Sequence, residues 1–433
     1  MSDQSPEPVA APFDSAHLPR SVRRFFETEA AGGIALLFTA IIALVWVNSP
    51  LRSSYDDLWH TEVVFRVGRF ALTEDLRHWV NEALMAIFFF VVGLEIKREL
   101  VVGELRHWRQ ASLPAIAALG GMAVPALVYV AINVGGPGSR GWGIPIATDI
   151  AFALGVLALL GRRVPTGLKL FLLTLAIVDD IGAIFVIAVF YSASVALLPL
   201  LVAGSLLAVM GLLRATKVLW MPAYVVLGTG VWLAVFQSGV HATIAGVVLG
   251  LLAPARPLAA ADVVREWAEE LAEEPTPAQT TAMTQVAKAT VSAAERLEHA
   301  LHPVSSFVIV PIFALANAGV VLQASALRGE GPARVAAGVV VGLVGGKILG
   351  VVAGAALAVK LRVGELPGGV GWGHIAGAAA LAGIGFTVSL FITDLAFADA
   401  ELQAAAKIGV LGASALASVI GATILLTRRR NAS

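Results

Sequence analysis

Apolar runs long enough to cross a bilayer recur along the whole chain, separated by short polar connections. Their spacing predicts about twelve helices: 33–49, 78–102, 112–133, 142–160, 169–191, 194–213, 218–236, 239–253, 301–321, 335–359, 372–397 and 404–427. The least marked boundary is Gln237–Gly239, where two spans meet almost without a loop. Residues 1–30 are polar and proline-bearing, with no apolar core or small-residue cleavage site, and read as a short cytoplasmic tail. The spans then divide into 31–253 and 296–427, with an acidic cytoplasmic loop at 254–295 and a second tail at 428–433. Residues 51–77 form the longest outer connection. Within it TEVVFRVGRFALTED alternates around Gly68 as a β-hairpin would, and a solvated loop fits it as well.

Composition supports a membrane protein, because 58% of the 433 residues are hydrophobic and only 14% are charged. A formal net charge of zero leaves nothing to attract nucleic acid, and the absence of cysteine excludes disulfides, thiolate metal sites and a cysteine nucleophile. Lys and Arg collect on one side of the predicted topology, twenty-one against eight, with Lys347 left inside a span. By the positive-inside rule both termini are expected in the cytoplasm.

Each ionisable group inside a span costs roughly 2.5–3.5 kcal/mol or more, and normally marks a pathway or a partner. The set is short: Glu82, Glu95, Asp149, Asp179, Asp180, His241, Lys347 and Asp394. Asp179 and Asp180 stand side by side in LAIVDDIGAIF and point about 100° apart on a helix, so they need different neighbours. Lys347 is the one basic side chain deep in a predicted span and suits one of them. Structural pairing alone explains one Asp and the Lys, but leaves Asp149 without a reason.

Asp149 lies in GWGIPIATDIAFALG, where Pro145 cannot donate a backbone hydrogen bond and Thr148 offers a hydroxyl beside the carboxylate. A broken helix is expected there, and its freed carbonyls are good ligands for a hard cation. GWGHIAGAAALAGIGFTVSLF is a second interrupted segment, weakened by Gly383 and Gly385 before Thr387. Glycine at 338, 342, 346, 350 and 354 makes a stripe that lets another helix approach closely and brings Lys347 toward the acids. Carboxylates and a lysine crowded in a low-dielectric cavity put proton exchange within reach of neutral pH. The same oxygens suit a small hard cation. Protons and cation then compete for one site, which suffices for exchange if the site opens alternately to each side.

Two rivals are weighed against this. An intramembrane aspartyl protease needs acids on facing helices, commonly with a GxGD-type motif, which IVDDIG does not match. A cation channel would carry current without coupled proton flow.

The chain resembles the bacterial NhaA family of Na+/H+ antiporters over nearly all of residues 23–427. The likeness rests on RFFETEAAGG, NEALMAIFFFVVGLEIKREL, IPIATDIAFALGVLALLG, LAIVDDIGAI, SGVHATIAG, RLEHALHP, FALANAG and GIGFTVSLFI. It implies an all-α integral inner-membrane protein of twelve helices with inverted repeats and two crossing discontinuous helices, plus a small extracytoplasmic β-hairpin. It implies electrogenic exchange of Na+ or Li+ for H+ with no cofactor and no enzymatic reaction. Asp180 is then the main carboxylate for cation and proton, with Asp149 and Thr148 near the crossing, Gly383, Gly385 and Thr387 on the other broken helix, and Asp179 paired with Lys347. The resemblance further implies a pH-responsive group of Glu95, Arg98, Glu99, His241, Glu298, His299 and His302, a cavity acid at Glu82, and a homodimer formed through the hairpin. Glu82 stands where aspartate is expected, Glu295 stands where lysine is expected, and the loop before it is longer and more acidic, so the pH profile is expected to depart from the family's.

Overall fold

The computed structural model describes residues 20–67, 70–161, 164–192, 195–216, 220–257 and 290–427. The tail before residue 20, most of the acidic loop (258–289), Gly68 and the tail 428–433 lie outside the described residues. The chain is mostly helical, with one two-stranded antiparallel sheet. Among the described residues seven helices are long and apolar enough to cross a membrane, and up to ten if each bent pair counts as one span.

In chain order these are α1 (Arg20–Val47) and α2 (Arg52–Trp59), then the hairpin strands β1 (Glu62–Val67) and β2 (Phe70–Asp75), then α3 (Leu76–Val101) and α4 (Trp108–Asn133). A 3-10 helix, Pro137–Ile146, precedes α5 (Ile150–Leu160), followed by α6 (Thr166–Phe190), α7 (Leu197–Ala215), α8 (Met221–Gln237) and α9 (Thr243–Leu252). The remainder is α10 (Ala293–Asn317), α11 (Glu330–Lys360), α12 (Trp372–Ala382), α13 (Phe386–Ala396) and α14 (Ala400–Thr427).

Each predicted run contains helix among its described residues, and the stretch 62–75 resolves the choice between loop and hairpin: β1 and β2 pair antiparallel, Glu62 opposite Asp75 and Val67 opposite Phe70. Two boundaries differ from expectation. Helix α1 begins at Arg20, inside the predicted tail, because SVRRFFETEAA contains no breaker and is rich in helix-forming residues. Helix α14 starts at Ala400, four residues before the predicted span 404–427, and Lys407, counted among the outer charges, is only 7% exposed within it.

The chain divides into two compact units, one made of Met1–Phe38, Leu113–Asp179 and Leu322–Ser433, the other of Thr39–Ser112 and Asp180–Val321. In the first, the glycine stripe of α11 meets α4 backbone to backbone. A Cβ at Gly354 would lie 2.5 Å from the carbonyl oxygen of Ile116, and one at Gly346 2.9 Å from the Cα of Pro125. Only glycine allows that approach, as the stripe predicted. In the second unit α3 and α9 pack the same way, with Gly93 against Val247 and Gly250 against Phe90 and Leu94.

Candidate ion site

In the first unit two helices break, each for a reason written in its sequence. The 3-10 helix Pro137–Ile146 holds Pro145, and the chain then turns extended at Ala147 (φ −85°, ψ 149°) and Asp149 (φ −88°, ψ 103°) before α5 begins, a bend of 46°. Between α12 and α13, Gly383–Gly385 interrupts the second segment with a bend of 45°. Gly383 is required by close approach, since a Cβ there would collide with the carbonyl oxygen of Leu343.

The two breaks lie against each other. Asp149 donates its amide to Ile384 O at 2.6 Å. Its carboxylate caps two half-helices at once: Oδ1 accepts from Phe152 N (2.9 Å) at the start of α5, and Oδ2 accepts from Thr387 N (3.0 Å) and Thr387 Oγ1 (2.8 Å) at the start of α13. One negative charge thus faces the positive ends of two helix dipoles. At the opposite polarity, Lys347 Nζ donates to Ile146 O (2.7 Å), the carboxyl end of the 3-10 helix, and to Asp179 Oδ2 (2.5 Å). Both partners of that ion pair are fully buried.

Four of the carbonyls at the breaks, a group expected to offer cation ligands, each accept a hydrogen bond. Ser389 Oγ donates to Ile144 O (2.7 Å), Lys347 to Ile146 O, Thr148 Oγ1 to Ala382 O (2.8 Å) and the Asp149 amide to Ile384 O. A buried carbonyl left unpaired costs about 1–3 kcal/mol, which is why each finds a donor.

Thr148 Oγ1 also lies 2.6 Å from Asp179 Oδ2. The hydroxyl has one proton and two acceptors, so that proton is shared between Asp179 Oδ2 and Ala382 O. The other oxygen of that carboxylate, Oδ1, is buried and has no hydrogen-bond partner among the described residues. Asp180, the next residue in α6, is buried as well, 7% exposed, and is turned about 100° around the helix from Asp179. One segment of the first unit ends at Asp179, and a segment of the second begins at Asp180.

The second unit holds two further groups. Glu82 sits in a π-helical turn, Val80–Leu84, inside α3; its Oε1 meets His241 Nδ1 at 3.2 Å and its Oε2 accepts from Ala242 N at 2.9 Å. His241 Nε2 meets Tyr191 O at 3.1 Å, so both contacts are hydrogen bonds at once for an imidazolium, or for a neutral ring whose Nδ1 accepts from a protonated Glu82. Elsewhere Arg98 bridges Glu298, and it also reaches Glu99 at 3.1 Å. Glu95 is buried close enough for its charge to act on Arg98, and His302 close enough to act on Glu298. His299 is exposed on α10 and joins none of these ion pairs among the described residues.

Residues 23–425 match the family model described as Na+/H+ antiporter 1. A Na+/H+ antiporter NhaA 3 from Frankia alni is 49% identical over 409 residues, covering 94% of this chain and 88% of that protein. A Na+/H+ antiporter NhaA from Shewanella loihica is 44% identical over 93% of this chain and 96% of its own length; one from Helicobacter pylori is 43% identical over 96% and 97%. The chain belongs to the Na+/H+ antiporter 1 family. The resemblance drawn from its motifs therefore holds across nearly the whole chain.

For a member of this family, several residues around the site escape motif reading. Ser389 carries no charge to mark it in the sequence, yet its hydroxyl ties α13 to the 3-10 helix. Lys407 pairs with Asp394 at 2.7 Å, both on helices of the first unit, and its place in an apolar run was the available signal. Among the described residues three π-helical turns, Val80–Leu84, Ser305–Ile309 and Val341–Gly346, respectively hold Glu82, follow His302 and precede Lys347. Such turns often mark functional positions, yet they leave no periodic trace in the sequence.

Proposed function

We propose that this antiporter exports Na+ or Li+ in exchange for protons by alternating access across the bacterial inner membrane. Exchange is electrogenic, with more protons entering than sodium ions leaving, so the membrane potential contributes about 2.3 kcal/mol per net charge per 100 mV. The observation that carries this reading is the buried Asp179–Lys347 pair set among the capped breaks at Thr148, Asp149 and Thr387.

Asp180 is the principal carboxylate for both cation and proton, with Asp149 and Thr148 serving the ions near the crossing of the broken helices. Breaking and re-forming of the Asp179–Lys347 pair carries a further proton, a role supported by the full burial of both partners and by the two acceptors that share the Thr148 proton. Because an oxygen that binds Na+ cannot keep its proton, each ion displaces the other, and this competition couples the two fluxes. Gly383, Gly385 and Thr387 supply the crossing partner of the broken helix. Glu82 is a cavity acid, and Glu95, Arg98, Glu99, His241, Glu298, His299 and His302 form the pH-responsive groups. The protein spans the membrane twelve times with inverted repeats, both termini in the cytoplasm, as the Lys and Arg asymmetry supports, and it dimerises through the β1–β2 hairpin.

The test is Na+- or Li+-dependent proton release from everted vesicles between pH 6 and 9, parent against Asp180→Asn. Loss of exchange is expected. Equal release from both would overturn the site assignment, and current without proton movement would establish a channel instead.

A further inference from the structure

The grip on Glu82 has two ends. Its carboxylate is held by His241 and by the amide of Ala242, and its main-chain carbonyl accepts the indole N–H of Trp232 at 3.0 Å. Both holds come from one stretch of chain, residues 232–242, which runs from α8 to the start of α9. A main-chain carbonyl in a regular helix points along the axis into its own ladder. In the π-helical turn Val80–Leu84 the amide of Met85 reaches back five residues to Val80 O, which widens the turn and gives a lateral donor access to the carbonyl of Glu82.

The donor ring is itself held. Trp232 stacks on Phe236 (centroids 5.7 Å, 30° between planes) and lies 6.3 Å from Trp79, which meets Phe65 edge-on at 5.0 Å. Trp79 Nε1 in turn donates to Val63 O of β1 at 3.3 Å. An aromatic row thus connects the hairpin to the turn that carries Glu82, and Trp232 is the member that makes the polar contact.

We propose that Trp232 is a positioning residue for transport, fixing the turn that presents Glu82 through a single indole-to-carbonyl hydrogen bond. The proposal rests on the reading of Glu82 as a cavity acid. With the carbonyl released, the turn is free to relax toward an ordinary helical register, the carboxylate is held only at its tip, and the acid no longer faces the cation's route at a fixed place. The cost falls on the concentration of cation needed for exchange, not on the maximal rate, because the exchanging carboxylates are untouched.

The experiment is a Na+ titration of proton exchange in proteoliposomes with Trp232→Phe, which keeps the ring and loses the donor, and Trp232→His, which keeps a ring with a donor. Trp232→Phe is expected to raise half-saturating Na+ about fivefold, equivalent to about 1 kcal/mol, with maximal rate and dimer mass in detergent unchanged. Trp232→His should recover most of the shift, and in a Glu82→Gln background Trp232→Phe should add nothing. A fall only in maximal rate or melting temperature, or equal shifts in the two variants, would overturn the proposal. Glu82→Gln alone separates the underlying reading: if that variant leaves half-saturation unchanged, the assignment of Glu82 has failed, whereas a shift with Glu82→Gln and none with Trp232→Phe rejects Trp232 alone.

Discussion

Replacing Lys347 by methionine separates what the buried ion pair does for folding from what it does for transport. The ammonium makes two hydrogen bonds, to Asp179 Oδ2 at 2.5 Å and to Ile146 O at 2.7 Å, from a side chain with no exposure at all. Methionine fills nearly the same volume and restores neither bond. Asp179 is left with the Thr148 hydroxyl alone, and the carboxyl end of the 3-10 helix loses the cation that faces its dipole. Removing one member of a buried pair costs about 3–5 kcal/mol, most of it the penalty of the charge left behind. The second substitution Asp179→Leu removes that charge as well, and replacing a whole buried pair by apolar groups is often neutral or stabilising by about 1–4 kcal/mol. Melting followed by tryptophan fluorescence in detergent should therefore fall sharply for Lys347→Met, well beyond a control at exposed Lys360, and recover in the double variant. Sodium-dependent proton exchange should be lost or strongly reduced in both. A double variant that recovers stability and also exchanges at the parent's rate would refute a transport role for the pair. One that stays as unstable as the single variant would refute the account of the penalty.

Thr387→Val removes the 2.8 Å hydroxyl contact to Asp149 and keeps the 3.0 Å amide contact, so it should cost about 1.5–3 kcal/mol and weaken exchange; Thr387→Ser should restore both, read by melting and by vesicle assay. Gly354→Ala would push a methyl into the Ile116 carbonyl and the Cα of Ala117, and should lower stability by about 1–3 kcal/mol, whereas Gly412→Ala, which meets nothing, should not. Deleting 62–72 removes most of the hairpin and should convert a dimer to a monomer by mass in detergent, with the exchange chemistry retained. Arg98→Met leaves the buried Glu298 without its cation, and should move the pH at which exchange switches on more than it changes the maximal rate; an unmoved profile would remove Arg98 from the pH-responsive group.

How far the architecture could be read in advance follows from the range of each signal. A run of apolar residues needs no neighbour to identify it as a helix, so α3 to α11 and α14 were legible one by one and α12 with α13 as one interrupted span, whereas the alternation around Gly68 fitted a hairpin without excluding a loop. Charge inside such a run is equally local, which is why Asp149, Asp179, Asp180 and Lys347 could be singled out before any contact was known. The glycine stripe of α11 went further, since a face without side chains implies a close neighbour even when it does not name one; the structure supplies α4.

What escaped is relational. Nothing in GIGFTVSLF says that the amide of Thr387 will turn toward a carboxylate 238 positions earlier, or that the four carbonyls at the breaks will each find a donor in another segment. A π-helical turn is invisible for a related reason: it inserts one residue into a helix without altering composition, and tertiary packing is what stabilises it. The turn at Val341–Gly346 shows the consequence. It brings the carbonyl of Leu343 against Gly383, the residue at which α12 ends, and it immediately precedes Lys347, whose ammonium bonds the carboxyl end of the other broken segment. One irregular turn of α11 therefore touches the second break and sets the register of the side chain that reaches the first. Motion of α11 past either break would alter the hold on both, so the ion pair and the two interruptions behave as one mechanical element.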